Sequence, residues 1–259
     1  MPLEPISAET ILTRLNTREI GRNIRLHSKV SSTMDVALQE VLVGAPYGTT
    51  IIAEVQEEGK GRLNRGWISP LGGVYVSIIL YPPQALLSSL TMIAGLAVTD
   101  CIEEVSGIKA TVKWPNDVLI DGKKVSGILA QGGSSPTKGC YAIIGVGINV
   151  DMDLFMHPEI ANIATCLSAV TGRPVSSLEV ICGLLESFEN RYLALQSGEP
   201  LWKEWGERLV TLGQQVSVKS HKAVFEGIAE SVSSDGSLLL RQDDGKLIEI
   251  PAGDVTLRV

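Results

Sequence analysis

The stretch Ala53-Glu54-Val55-Gln56-Glu57-Glu58-Gly59-Lys60-Gly61-Arg62-Leu63-Asn64-Arg65-Gly66-Trp67-Ile68-Ser69-Pro70 decides how the chain is read. Ile51 to Val55 is an apolar run that predicts a strand, and it leads directly into a loop holding three glycines and the cations Lys60, Arg62 and Arg65. Glycine lets a backbone approach an anion closely and offers N–H donors, while a guanidinium grips phosphate oxygens with a fork of donors. A strand feeding such a loop suits a phosphate, and Trp67 is placed to stack on an adenine or cap the pocket. The plainer alternative is a solvated basic loop; the concentration of cations in an acidic chain counts against it.

On the amino-terminal side, Ser31-Ser32-Thr33 precedes a helical pattern through Val41 that Gly44 is placed to end, and Ala8 to Leu15 predicts one short helix. On the other side, Val74 to Leu80 predicts a strand ending at Pro82-Pro83. A long amphipathic helix follows, carrying Leu86, Leu90, Ile93, Ala97, Cys101 and Val105 and stopping at Gly107. Ala110 to Lys113, Val118 to Ile120 and Val125 to Ala130 are short apolar runs, the last two flanking the hairpin signal Asp121-Gly122. Tyr141 to Val150 predicts a strand, Ser177 to Leu195 a second long helix, and Trp202 and Trp205 sit in a short third. From Gln215 the pattern changes to strands at Gln215 to Lys219, Val224 to Val232, Ser237 to Arg241 and Leu247 to Ile250, a small all-β module. The fold class is α+β: a mixed β-sheet domain with flanking helices over 1–210, then a β domain over 211–259.

The 259 residues suffice for one or two domains at about 150 residues each. Twenty-two Lys and Arg against 29 Asp and Glu give a net charge of -7, which argues against the broad basic face of a nonspecific nucleic-acid binder. No apolar run approaches the roughly 18 residues that span a membrane. Met1-Pro2-Leu3-Glu4-Pro5 lacks the charged start and apolar run of a signal peptide, so the expected compartment is cytoplasmic, with reduced thiols. Cys101, Cys140, Cys166 and Cys182 form no CxxC pair, and His27, His157 and His221 have no HExxH spacing, so no protein-held metal is expected.

Common nucleotide signatures fail: Gly59-Lys60-Gly61 and Gly145-Val146-Gly147 both lack the third glycine of a dinucleotide fingerprint, and there is no Walker A motif. Ser135 and Lys138 have SxxK spacing without its companion motifs. Two other segments carry chemistry. Lys113-Trp114-Pro115-Asn116-Asp117 places an amide and a carboxylate where they can orient a ribose or a metal-bound phosphate, or simply make a turn. In Asp121-Gly122-Lys123-Lys124-Val125-Ser126-Gly127-Ile128-Leu129, alternation sends Lys124, Ser126 and Ile128 to one face and Lys123, Val125 and Gly127 to the other. One lysine is then expected to point inward, toward an anion; two solvated turn lysines are the alternative.

Taken in order, Ser32-Thr33, Gln56 with Gly59 to Arg62, Lys113 to Asp117, Gly122 to Leu129 and Gly145 to Val150 resemble the biotin protein ligases, from about His27 to the carboxy terminus. The resemblance implies a class II synthetase-like catalytic domain and a terminal SH3-like β-barrel, in the short form without a DNA-binding head. It implies that Ser32, Thr33, Met34 and Gln56 meet the biotin ring system, and that Gly59, Lys60, Gly61 and Arg62 wrap the biotin carboxylate and the α-phosphate. Lys124 would contact the biotin carboxyl and the acyl phosphate beside Gly127. Arg65, Trp67, Asn116 and Asn149 fall on the adenylate side, and Asp117 near the incoming amine. The implied reaction joins biotin to ATP, with Mg²⁺ riding on the phosphates, and passes biotin from biotinyl-5′-AMP to a lysine of a biotin carboxyl carrier domain. The Gly59 to Gly66 loop is expected to act as a lid.

The chain departs from the family pattern at Lys60 for a common Arg, Asn64 for a common Gly, and Met34 where Asn is frequent. Lipoate ligation on the same fold and a noncatalytic biotin-binding regulator are the alternative functions. Oligomeric state is left open, a homodimer included.

Overall fold

The computed structural model describes residues 6–135, 137–220 and 223–257; the expectations for Met1 to Pro5 and for His221 lie outside them. Helix α1, Ala8–Arg14, is started by the Ser7 hydroxyl, which accepts from the Thr10 N–H at 3.0 Å. Strand β1 (Ile24–Val30) and strand β2 (Thr50–Gln56) are parallel, and α2, Thr33–Leu42, connects them. Ser32 caps α2, its hydroxyl accepting from the Met34 N–H at 3.3 Å.

Five further strands complete the first sheet: β3 (Gly73–Leu80), β4 (Thr111–Lys113), β5 (Asp117–Ile120), β6 (Lys123–Ser135) and β7 (Gly139–Asn149). Their order is β1-β2-β3-β7-β6-β5-β4, and every pairing after β1/β2 is antiparallel. Strand periodicity sorts β3: Val74, Val76, Ile78 and Leu80 enter the main core, while Ile79 packs with Met34, Ala37 and Val41 under α2. The main-core face is covered by α3 (Leu90–Ser106) and α5 (Ser177–Gln196), with α4 (Leu167–Thr171) at its margin.

Helix α3 differs from the sequence expectation. Leu86 lies in a separate tight turn, Gln84–Leu86, and from Leu90 to Ile102 only Thr91 and Asp100 escape burial, so most of the helix has no wet face. It is wedged between the sheet, α5 and α6 (Leu201–Arg208). Each buried Leu or Ile contributes about 1.5–3 kcal/mol, more than the spread of helix propensities, so packing sets this helix. Arg191 ties the three helices, donating to Asp100 and Glu204 at 2.7 Å each.

The second sheet is β8 (Gln215–Lys219), β9 (Val224–Val232), β10 (Leu238–Arg241), β11 (Leu247–Ile250) and β12 (Asp254–Leu257), antiparallel in the order β11-β10-β9-β8-β12. The sequence reading had no β12, a four-residue strand following Pro251-Ala252-Gly253. Val216, Val218, Ala229 and Leu240 join the main core, and the Trp114 indole N–H donates across to Gly236 O at 3.0 Å. The two sheets thus share one interior, in an α+β fold. No helix among the described residues is long and apolar enough to cross a membrane.

Candidate active site

On the α2 side of the first sheet, where β3 and β6 begin and β7 ends, a cavity encloses about 730 Å³, its open mouth included. Its floor is bare backbone. Gly127 on β6 pairs with Gly147 on β7, and Trp67 lies flat against both: a Cβ at Gly147 would come within 2.4 Å of the indole Nε1, and one at Gly127 within 2.9 Å of Cζ3. A Cβ at Gly145 would stand 2.6 Å from Met34 Sδ.

One end of the cavity is a chain of neutral polar groups. Gln56 Oε1 accepts from the Thr33 N–H at 2.8 Å and from its hydroxyl at 3.1 Å, while Gln56 Nε2 donates to Ser69 at 2.8 Å. Ser77 donates to Thr33 at 2.8 Å, so the Gln56 amide is held in one orientation beside the lining residues Ser32 and Met34.

The other end is charged. The Gly59 to Gly66 loop folds back on itself, with the Gly61 N–H donating to Arg65 O and the Trp67 N–H to Gly59 O, both at 2.8 Å. Leu63 and Asn64 take φ of 54° and 59° at its tip; Asn accepts this left-handed geometry readily, whereas Leu stores of order 1–3 kcal/mol of strain. Arg62 Nη1 donates to Asn116 Oδ1 at 3.0 Å and to Gly253 O at 3.1 Å. Burial lowers its pKa from the ordinary arginine value, against the opposing pull of Asp254 and Asp117. Arg65 pairs with Asp254 and Lys60 with Asp35 on α2. Lys124 Nζ lies 2.6 Å from Asp117 Oδ1 and 5.0 Å from the centre of the Trp67 ring.

The alternation expected for β6 is corrected here. The β5/β6 register shifts at Leu119, which faces Lys124 while Val118 faces Ser126, so Val125 is an extra residue. Val125 and Ser126 are both fully buried, and Lys124 shares the cavity face with Gly127, a Cβ on which would touch Lys124 Cε at 3.2 Å. Lys124 is the inward lysine; Lys123 is exposed.

Of the residues singled out from sequence, Ser32, Thr33, Met34, Gln56, Lys60, Gly61, Arg62, Arg65, Trp67, Asn116, Asp117, Lys124 and Gly127 line this one cavity. Gly59 and Asn149 do not. Gly59 packs behind the loop, where a Cβ would lie 2.3 Å from Trp67 O, and Asn149 is 2% exposed with its amide donating to Thr165 O at 3.0 Å. Sequence reading missed Asp254, Gly145 and Gly147 as lining residues. The two glycines lie in a motif already noted, but Asp254 had no local signal, because only the tertiary fold brings the second sheet to the loop.

The sequence profile of the Biotin/lipoate A/B protein ligase family matches residues 26–149, and that of the Biotin protein ligase C terminal domain matches 211–258. The chain is 34% identical to the Bifunctional ligase/repressor BirA of Bacillus subtilis (strain 168), over 97% of this chain and 79% of that protein. It is 31% identical to the Biotin--[acetyl-CoA-carboxylase] ligase of Paracoccus denitrificans, over 79% and 88%. The biotin protein ligase from Aquifex aeolicus, solved with biotin and ATP, superposes with a TM-score of 0.78 at 30% identity, covering 92% of this chain and 99% of that one. Fold and site therefore define an enzyme of the ligase class. The chain belongs to the biotin protein ligase family.

Proposed function

We propose that this enzyme condenses biotin with ATP to biotinyl-5′-AMP and then transfers the biotinyl group to one lysine of a biotin carboxyl carrier domain. The observation that carries the reading is that Arg62 and Lys124 face the same cavity, whose far end is the neutral Gln56–Thr33 chain. A fixed amide beside Ser32, Thr33 and Met34 suits the donors and acceptors of a ureido ring. The cations suit the carboxylate and phosphate.

In the first step a biotin carboxylate oxygen attacks the α-phosphorus and pyrophosphate leaves. Two anions must meet, and Arg62, Lys124 and Lys60 offset their repulsion. Mg²⁺ belongs to the nucleotide substrate as MgATP. Trp67, Arg65 and Asn116 take the adenylate side. Asn149 acts from behind: it holds Thr165, whose N–H donates to Lys124 O at 2.9 Å. In the second step the lysine Nζ attacks the acyl carbon, the bond from that carbon to the phosphate oxygen breaks, AMP leaves, and the surplus ammonium proton passes to Asp117 and then to solvent. We place the division of the chain at 210/211, with the second unit lending Asp254 to the first.

The test is ATP–pyrophosphate exchange measured with biotin, with lipoate and with neither. Exchange with biotin alone is expected. Exchange only with lipoate would replace the substrate, and tight biotin binding without exchange would favour a regulator.

A further inference from the structure

Ser77 on β3 lies outside the cavity, yet the neutral end of the cavity takes its hydrogen-bond polarity from it. The residue is fully buried on the α2 face of the first sheet, paired with Ile51 on β2 and Gly145 on β7, and Ile79 and Ile143 share that face. A hydroxyl buried among such neighbours is costly unless it is hydrogen-bonded. Its partner is Thr33 Oγ1, 2.8 Å away. The direction of every bond in this chain follows from one backbone group. The Thr33 N–H, 2.8 Å from Gln56 Oε1, can only donate, which fixes the end of the amide that faces Thr33. The Thr33 hydroxyl, 3.1 Å from the same oxygen, must then donate as well. It has one hydrogen, so toward Ser77 it accepts and Ser77 donates. On the other side of the amide, Gln56 Nε2 donates to Ser69 Oγ at 2.8 Å, and Ser69 passes its hydrogen to Trp67 O at 3.0 Å.

What this end keeps for a ligand is therefore limited. Gln56 Oε1 already accepts twice, so the amide retains its second Nε2 hydrogen; Thr33 Oγ1, its own hydrogen spent, retains one lone pair. One donor beside one acceptor complements a carbonyl flanked by N–H, the group that a cyclic urea presents. We propose that Ser77 is the positioning residue of this end: by donating to Thr33 it commits the Thr33 hydrogen to Gln56 and sets both residues to receive a cyclic urea before it arrives. The proposal rests on the biotin-binding half of the reading above, and it makes a residue that never touches the ligand a determinant of affinity. Without the Ser77 hydroxyl, Thr33 is no longer held between two partners, and part of the ordering falls to the moment of binding. Hydrogen bonds in such a chain reinforce one another, so loss of the first weakens those that follow.

A double-mutant cycle on the full chain tests this, with the Kd for biotin, read by calorimetry without ATP, as the measurement. Ser77→Ala should weaken biotin binding about tenfold in the parent and by less than about twofold in a Thr33→Val background, because Ser77 acts only through Thr33. The Tm of the ligand-free proteins closes a second cycle. There Ser77→Ala should raise the Tm of Thr33→Val, in which the Ser77 hydroxyl is left buried without its acceptor, and should not raise that of the parent. Equal weakening of biotin in both backgrounds would make Ser77 a packing residue and overturn the proposal. A biotin Kd that Ser77→Ala leaves unchanged in the parent, or a Tm that it shifts alike in both backgrounds, would overturn it too. Ser77-dependent biotin binding without biotin-dependent pyrophosphate exchange would remove the ligase reading and keep Ser77 in its role, whereas a parent that binds no biotin would overturn both.

Discussion

Arg62 reaches from the glycine-rich loop to the last strand of the second sheet, where its Nη1 lies 3.9 Å from Asp254 Oδ1 and 3.1 Å from Gly253 O. The loop is therefore seated on the C-terminal sheet as well as on its own, and Asp254 also pairs with Arg65. A carboxylate that holds two arginines in place before an anionic ligand arrives reduces the ordering left to be done on binding.

Asp254→Asn should loosen that seat. Partly exposed ion pairs contribute about 0.2–1 kcal/mol, so the open-loop population should rise up to roughly fivefold. Tryptic cleavage after Arg62 and Arg65 reports it directly, and biotin with ATP should restore protection. An unchanged cleavage rate would mean that Asp254 does not hold the loop.

Lys124→Ala should impair adenylate formation far more than folding. Lys124 is 30% exposed and fills no core volume, whereas one charge-assisted contact of about 1.5–3 kcal/mol corresponds to a loss of roughly 10- to 150-fold. Pyrophosphate exchange and thermal melting measured on one preparation separate the two. Parallel loss of both would make Lys124 a structural residue.

The glycine floor makes a graded prediction. Gly147→Ala places a methyl carbon 2.4 Å from the rigid Trp67 ring, whereas Gly145→Ala meets the flexible end of Met34 at 2.6 Å. Gly147→Ala should raise the KM for ATP and shift Trp67 fluorescence, and Gly145→Ala should act more mildly, chiefly on biotin. The reverse ranking would place the two ligands differently over the floor.

What sequence could and could not reveal divides on physical lines. Local signals located the loop, the Ser32 cap and the hairpin at Asp121-Gly122, where φ of 50° and 75° matches the expected turn. Period-two counting misplaced Gly127 relative to Lys124, because the extra residue at Val125 is set by pairing with β5 and leaves no compositional trace. The amphipathic expectation for α3 failed because neighbours on several sides bury it, and β12 escaped notice because four residues give little periodicity. Asn149 shows the limit of motif transfer: its place in the chain suggested the cavity, but its amide turns to Thr165.

In the proposed reaction Arg62 and Lys124 jointly neutralise the charge formed where the biotin carboxyl meets the nucleotide. A crystal structure of the chain with a non-hydrolysable biotinyl-5′-AMP analogue tests it most directly. The Arg62 guanidinium and Lys124 Nζ are both expected within about 2.7–2.9 Å of oxygens at the acyl-phosphate linkage, with the Gly59 to Gly66 loop closed over it. An analogue bound with either side chain still paired only to protein carboxylates, or lying outside the cavity, would contradict it.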